Sequence, residues 1–341
     1  MLSSLGIHEN PKLSVILPVF NGQEYLKDAL DGILTQSFSN LELIVIDDGS
    51  SDGSRELIEK LDDSRVRFFQ QPNQGLPITL NRAISHARGE YIARQDQDDV
   101  SFPDRLAKQL AFLEANPEVG MVGSWAEIWV GKEKSDRVMQ HPTDDASIKF
   151  SLLFDNPFVH SSVMIRRSVF EEIGAYCEDK SRQPPEDYEL WSRVARKFEM
   201  ANLPEALMAY REVPGSMSRA GVNPFRSRLI RISGENIACY SGRDVDAPEI
   251  VAISRLTHGD YVDLPRGQKF YPMASVLKDA AACIAKEAGG ASPQLHGLLK
   301  MKLSQLRYHY LEYRTGGWLG KLLAGPVGRC AKRAVKRAMA S

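Results

Sequence analysis

Residues 41–54 read LELIVIDDGSSDGS, and this stretch decides the fold. Its first six residues are apolar except Glu42 and do not alternate with polar ones, the pattern of a strand buried on both faces. The run then passes directly into Asp47-Asp48-Gly49-Ser50 and Ser51-Asp52-Gly53-Ser54, which are turn and helix-cap residues. A strand covered on both sides belongs to a parallel sheet flanked by helices. In such sheets ligands bind beyond the carboxyl ends of the strands.

The flanking sequence repeats the unit. Residues 13–19 (LSVILPV) form a strand ended by Pro18 and the turn pair Asn21-Gly22. Residues 24–35 carry apolar side chains at 25, 26, 29, 30, 33 and 34, the spacing of an amphipathic helix. A helix over 54–61, a strand over 65–69, a helix over 78–87 and a strand over 90–93 follow. A further helix comes after Pro103, at a first-turn position that favours proline, and residues 119–124 make the next strand. From about Ser147 the pattern loosens, with strands expected over 161–165 and 207–210, a helix over 186–198, and a loop over 213–223. From Pro224 the chain reads as helical and polar, with breaks at 244–248, 264–267 and 289–293.

Composition excludes several classes. The chain has 341 residues, 43% of them apolar, with 43 basic against 44 acidic side chains. That is a globular protein of about two domains, and it is neither disordered nor collagenous nor disulfide-dense. No run approaches the roughly 18 uncharged apolar residues of a membrane span. Residues 1–20 lack the basic segment that opens a secretory signal. Cys177, Cys239, Cys283 and Cys330 lie far apart and read as reduced thiols, which points to the cytoplasm. The near-zero net charge conceals an asymmetry. Seven basic and no acidic residues from Arg314 onward leave about −8 on the first 313.

Three acidic groups carry candidate chemistry. Asp96, Asp98 and Asp99 crowd a strand end, where mutual repulsion is tolerable if a cation sits among them; hard carboxylate ligands suit Mg²⁺ or Mn²⁺. The alternative is an acidic loop capping the next helix. Asp47-Asp48 also ends a strand, either as a turn and cap or as a carboxylate that accepts from a base or ribose. Glu186-Asp187 opens a helix, where acids complement the dipole. Adjacent carboxylates beside a metal diphosphate would also have raised pKa values, which suits a general base.

Six segments, taken together, carry a family resemblance. LSVILPVFNG from Leu13, DDGSSDGS from Asp47, Asn73-Gln74-Gly75, GEYIA from Gly89, Asp96-Gln97-Asp98-Asp99 and EDYELW from Glu186 follow the order and spacing of family 2 glycosyltransferases across residues 12–220. The resemblance implies a GT-A fold, a Rossmann-like α/β sheet flanked by helices, over residues 1–223. A helical C-terminal region over 224–313 and a basic amphipathic tail over 314–341 would follow. It also implies a nucleotide-sugar donor, a divalent cation and inversion at the anomeric carbon. Pro18, Phe20 and Asn21 match the segment lining the base pocket, and Glu24 the acid after that turn. Asp48 matches the carboxylate that accepts from the uracil imide, and Gly75 the glycine that lets backbone approach the nucleotide. Of the D-x-D pair, Asp98 matches the metal ligand and Asp96 the position nearer the ribose. Asp187 matches the catalytic base, and His160 lies in a segment that faces sugar and acceptor in relatives. A structural role for that histidine is the alternative.

Two departures stand out. Where many relatives carry Tyr-Arg-x-His, with a histidine that completes metal coordination, this chain has Tyr210-Arg211-Glu212-Val213. The Q-x-x-R-W signature of processive synthases is also missing, which points to transfer of one sugar per encounter. The expected product is a cell-surface polysaccharide or glycolipid, and the acceptor a glycan or lipid-linked hydroxyl. Between Trp318 and Ala338 apolar residues are interleaved with basic ones, so the tail is expected either to touch an anionic membrane surface or to be a solvated terminus. An acidic body with no nucleic-acid motif makes a nucleic-acid partner unexpected. The rival readings are a nucleotide-sugar-binding protein of the same fold that has lost transfer, a dinucleotide enzyme, and a membrane adaptor. The dinucleotide enzyme would need G-x-G-x-x-G after the first strand, where Val19-Phe20-Asn21-Gly22-Gln23-Glu24 stands instead.

Overall fold

The computed structural model describes residues 10–213, 225–262 and 264–315. Four strands build the first half: β1 (Leu13–Val19), β2 (Leu41–Asp47), β3 (Val66–Gln70) and β4 (Tyr91–Arg94). They pair in parallel in the order β3-β2-β1-β4. Every residue of β1, β2 and β4 is buried, as the unalternating apolar runs require. The helices α1 (Leu26–Leu34), α2 (Ser54–Glu59), α3 (Leu76–His86) and α4 (Arg105–Ala115) connect or follow these strands. Leu26, Ala29, Leu30 and Ile33 of α1 join Leu13, Val15 and Leu17 of β1 in one apolar core. Parallel pairing brings the carboxyl ends of β1, β2 and β4 to a single edge.

Beyond β4 the pairing becomes mixed. The short β5 (Val100–Ser101), the long β6 (Val119–Val130), β7 (Glu133–Met139), β8 (Met164–Arg166) and β9 (Glu199–Glu212) complete a nine-stranded sheet. β8 lies antiparallel between β4 and β6, β9 runs parallel to β6, and β5 pairs antiparallel with Met208 and Ala209 of β9. The expected strand at 161–165 begins later, because residues His160–Ser162 form a 3-10 turn. The expected strands at 119–124 and 207–210 are the ends of longer ones. β6 continues past the expected residues with buried and half-buried positions in alternation, β9 begins earlier, at Glu199, and the polar hairpin strand β7 has no alternation to read. The helices α5 (Asp145–Ser151), α6 (Arg167–Ile173) and α7 (Glu186–Val194) complete this part, the last ending four residues before the expected 198.

The chain divides into two compact units, Met1–Arg228 and Leu229–Ser341. In the second, α9 (Pro248–Thr257), α10 (Phe270–Glu287) and α11 (Pro293–Arg314) follow α8 (Arg226–Ser241), which crosses the boundary. The observed breaks fall where Pro and Gly signals put them. The basic tail lies outside the described residues except for Arg314 and Thr315, and so does Cys330.

Candidate active site

The turns at the ends of β1, β2 and β4 carry most of the residues that the resemblance assigns to the nucleotide. After β1 the chain turns through Phe20, which is 46% exposed, and Asn21, whose φ of +50° lies in the left-handed region that asparagine tolerates. Asn21 N–H donates to Ser50 Oγ at 3.0 Å, and Asn21 Oδ1 accepts from Ser51 N–H at 2.8 Å. The turns after β1 and β2 are thereby laced together. Pro18 is buried within β1, whereas Glu24 is exposed at the head of α1.

Asp48 is buried at 4% exposure. Its Oδ1 accepts from Gln71 Nε2 at 2.7 Å and from Gln74 N–H at 2.9 Å, and its Oδ2 accepts from Gly75 N–H at 2.9 Å. This carboxylate therefore pins the 73–75 loop over the strand ends, and Oδ2 retains lone-pair capacity for a further donor. Gly75 sits at φ +91° with no atom within 4 Å of where a Cβ would lie. The glycine is required by its dihedral, and the space beside it is open.

Gln97, inside the D-x-D, bridges to the β1 turn. Its Oε1 accepts from Phe20 N–H at 2.8 Å and its Nε2 donates to Phe20 C=O at 3.0 Å. Carboxylate oxygens of Asp96, Asp98 and Asp99 come within 4.8 Å of one another. Burial first, and then the neighbouring Asp96, push the Asp98 carboxyl up to about 6. The same causes, with Asp98 added, raise Asp99 well above the usual carboxylate range. Crowded acids whose ionisation is opposed in this way suit a divalent cation, which would reverse the effect. Asp99 has other work: its Oδ1 accepts from Arg211 N–H at 2.8 Å and its Oδ2 from Ser161 Oγ. This ties the D-x-D to β9 and brings the segment bearing Val213 to the acidic cluster.

Across from the D-x-D, Pro185 precedes α7 and Glu186-Asp187 open it, with Tyr188, Leu190 and Trp191 fully buried beneath them. Asp187 Oδ2 accepts from Asn156 Nδ2 at 2.7 Å and Oδ1 from Tyr188 N–H at 2.7 Å, leaving an 18% exposed carboxylate. His160 Nδ1 lies 3.9 Å from both Asp187 Oδ2 and Glu186 Oε1, and its Nε2 is 2.8 Å from Tyr176 Oη. Burial, reinforced by Arg94, holds this imidazole well below its usual range, so it is neutral. Burial and the adjacent Asp187 push Glu186 up to about 7, and burial also raises Asp187. The charge of Asp96 contributes to both shifts. D-x-D and E-D thus lie within electrostatic range of each other.

A family model described as glycosyl transferase family 2 matches residues 14–174. The putative glycosyltransferase EpsE of Bacillus subtilis is 34% identical over 220 residues, which span 62% of this chain and 77% of EpsE. The chain belongs to glycosyl transferase family 2. A second relative within the family, the O-antigen biosynthesis glycosyltransferase WbnJ of Escherichia coli, is 31% identical over 58% of this chain and 79% of WbnJ. In fold, this glycosyltransferase resembles S. aureus TarS 1-349 solved in complex with UDP-GlcNAc. The TM-score is 0.58 at 21% identity, with 89% of this chain and 92% of that one covered. That likeness establishes the GT-A architecture.

Four residues of this glycosyltransferase's cleft escaped the sequence reading: Arg94, Gln97, Asn156 and Tyr176. For Arg94 a signal existed, since an arginine closing an apolar strand beside three acids needs a counter-charge there. Gln97 and Asn156 are uncharged amides whose partners lie 77 and 31 residues away, and nothing local marks them. Arg166, at the end of β8, is structural: its guanidinium donates to the carbonyls of Val119, Leu113 and Asn116.

Proposed function

We propose that this family 2 enzyme transfers one sugar per encounter, with inversion, from a UDP-sugar to an acceptor hydroxyl in the assembly of a cell-surface polysaccharide or glycolipid. The observation that carries the reading is the cluster of Asp96, Asp98 and Asp99 carboxylates that follows β4, within electrostatic range of the Glu186-Asp187 pair that opens α7. The names of WbnJ and of the TarS complex support the polysaccharide and UDP-sugar parts.

Phe20, with its side chain exposed at the strand end, offers a face for the uracil ring, while Pro18 and Asn21 shape the turn that bears it. Asp48 has an oxygen free to accept from the base, and Gly75 leaves open space for the nucleotide. Glu24 and Asp96 border the nucleoside. Asp98 is the ligand for Mg²⁺ or Mn²⁺, whose contribution when bound is to neutralise charge growing on the departing diphosphate. Asp187 takes the proton from the acceptor hydroxyl as that oxygen attacks the anomeric carbon. The carbon–oxygen bond to the diphosphate breaks on the opposite face and UDP leaves with its electron pair. General-base assistance of this kind is worth about 10²–10⁴ in rate. His160, neutral and beside Asp187, borders the sugar side.

The amphipathic tail would hold the enzyme at the inner face of the membrane, near a lipid-linked acceptor. Val213, standing where many relatives have histidine, favours a second reading in which donor binding survives without transfer. The two separate on one assay: UDP release from UDP-sugars with a glycolipid acceptor extract and Mn²⁺, comparing wild type with Asp187→Asn. Release by the wild type, its loss in the variant at unchanged UDP affinity, and an inverted anomer by proton NMR are expected. A retained anomer, or equal turnover in the variant, contradicts the mechanism.

A further inference from the structure

Arg94, the last residue of β4, is 2% exposed, and both ends of its backbone are fixed. Its N–H donates to Val163 C=O at 3.0 Å, and its own carbonyl accepts from Arg105 Nη1 and Nη2 at 3.1 and 3.2 Å. Its Nη1 forms an ion pair with Asp96 Oδ2, while its buried Nε has no hydrogen-bond partner among the described residues. A guanidinium stays charged at any working pH, and burying it away from carboxylates would be costly. The carboxylate it meets is that of Asp96, in the D-x-D. Besides pairing with Asp96, its charge opposes the upward shifts of Asp98, Glu186 and Asp187, which lie on β4's outgoing loop and on α7. It also disfavours the protonated imidazole of His160 on the 3-10 turn.

We propose that Arg94 is the resident cation of this cleft, a positioning residue that holds Asp96 from beneath and offsets Glu186 and Asp187 across it, so that the acid array keeps its geometry before metal or nucleotide arrives. Two consequences distinguish this from simple packing. The carboxylates and Arg94 depend on each other, so deleting both charges costs less than the two single losses together. A divalent cation substitutes in part for a missing Arg94. The consequence for catalysis rests on the donor-and-base reading above, whereas the stability readout does not require the protein to transfer sugar at all.

The test is thermal unfolding of the full chain in EDTA for wild type, Arg94→Met, Asp96→Asn and the double variant, repeated with saturating Mn²⁺. Losing the buried member of an ion pair in a unit of this size corresponds to a Tm loss of up to about 6–20 °C for Arg94→Met. The proposal predicts that adding Asp96→Asn recovers at least a third of that loss, and that Mn²⁺ raises Tm more in Arg94→Met than in wild type. Strict additivity of the two single losses, together with equal Mn²⁺ shifts in both proteins, overturns it. If Arg94→Met does not fold, Arg94→Lys carries the same cycle, because lysine keeps the charge and loses the fork. The lysine variant is expected to retain most of the Tm, and a loss equal to that of Arg94→Gln would also overturn the proposal.

Discussion

Asn156 donates from Nδ2 to Asp187 Oδ2 at 2.7 Å, and its own Oδ1 accepts from Phe158 N–H at 3.0 Å, so the amide cannot swing away. The proposed base is thus oriented by a residue 31 positions away on a different element. Asn156→Ala removes the donor and frees the carboxylate to rotate. We expect turnover to fall about 10–100-fold with donor KM within twofold, as for loss of an orienting contact. Steady-state kinetics check this, and a purely KM effect would assign Asn156 to donor binding instead.

Glu186 makes stability depend on pH. Its folded pKa of about 7 lies above its ordinary value of 4.5, so between these values the folded state holds a proton that the unfolded state has released. Stability is therefore full below about 4.5 and declines as pH rises through about 7. The loss is on the order of 3 kcal/mol. Glu186→Gln removes that decline, so its Tm should exceed that of wild type at pH 8 and match it at pH 5. Calorimetric scans at the two pH values check the sign, and a Glu186→Gln variant whose Tm relative to wild type does not rise from pH 5 to 8 in EDTA contradicts it.

Asp98 and Asp99 are neighbours with different work, and substitution separates them. Asp98→Ala relieves repulsion with Asp96 and leaves the fold intact, so Tm in EDTA is unchanged or higher while Mn²⁺-dependent UDP affinity is lost. Asp99→Ala strips partners from Arg211 N–H and Ser161 Oγ, which costs about 1–3 kcal/mol for each buried group left unpaired. Paired Tm and UDP titrations on both variants check the division of labour.

Gly75→Ala places a Cβ at φ +91°, where space is open but the dihedral is strained. That costs about 1–2 kcal/mol and shifts the loop whose N–H groups hold Asp48. UDP affinity should fall at least tenfold with the Tm lowered by only a few degrees, which titration and thermal melts together measure.

Much of this architecture was legible in the sequence. Unalternating runs such as LSVILPV and LELIVI mark strands buried on both faces, and the observed β1 spans the expected residues. The helical breaks beyond residue 224 were readable from Gly and Pro alone. What could not be read was non-local. β5 is only two residues long, and it forms because Val100 and Ser101 find Ala209 and Met208 more than 100 positions away. At the site, the acids announced themselves because crowded charge has no packing rationale. Their uncharged supports, Gln97 and Asn156, carry no such signature, since an amide reads alike on a surface or beneath a carboxylate.

The edge formed by β1, β2 and β4 is expected to bind a nucleoside diphosphate through a divalent cation. Calorimetric titration of UDP, GDP and dTDP into the full chain, first with Mn²⁺ and then with EDTA, tests it most directly. Saturable binding of UDP in Mn²⁺ that is lost in EDTA and in Asp98→Ala is expected, with weaker binding of the other two. A folded protein that binds none of the three, or binds UDP equally well in EDTA, contradicts it.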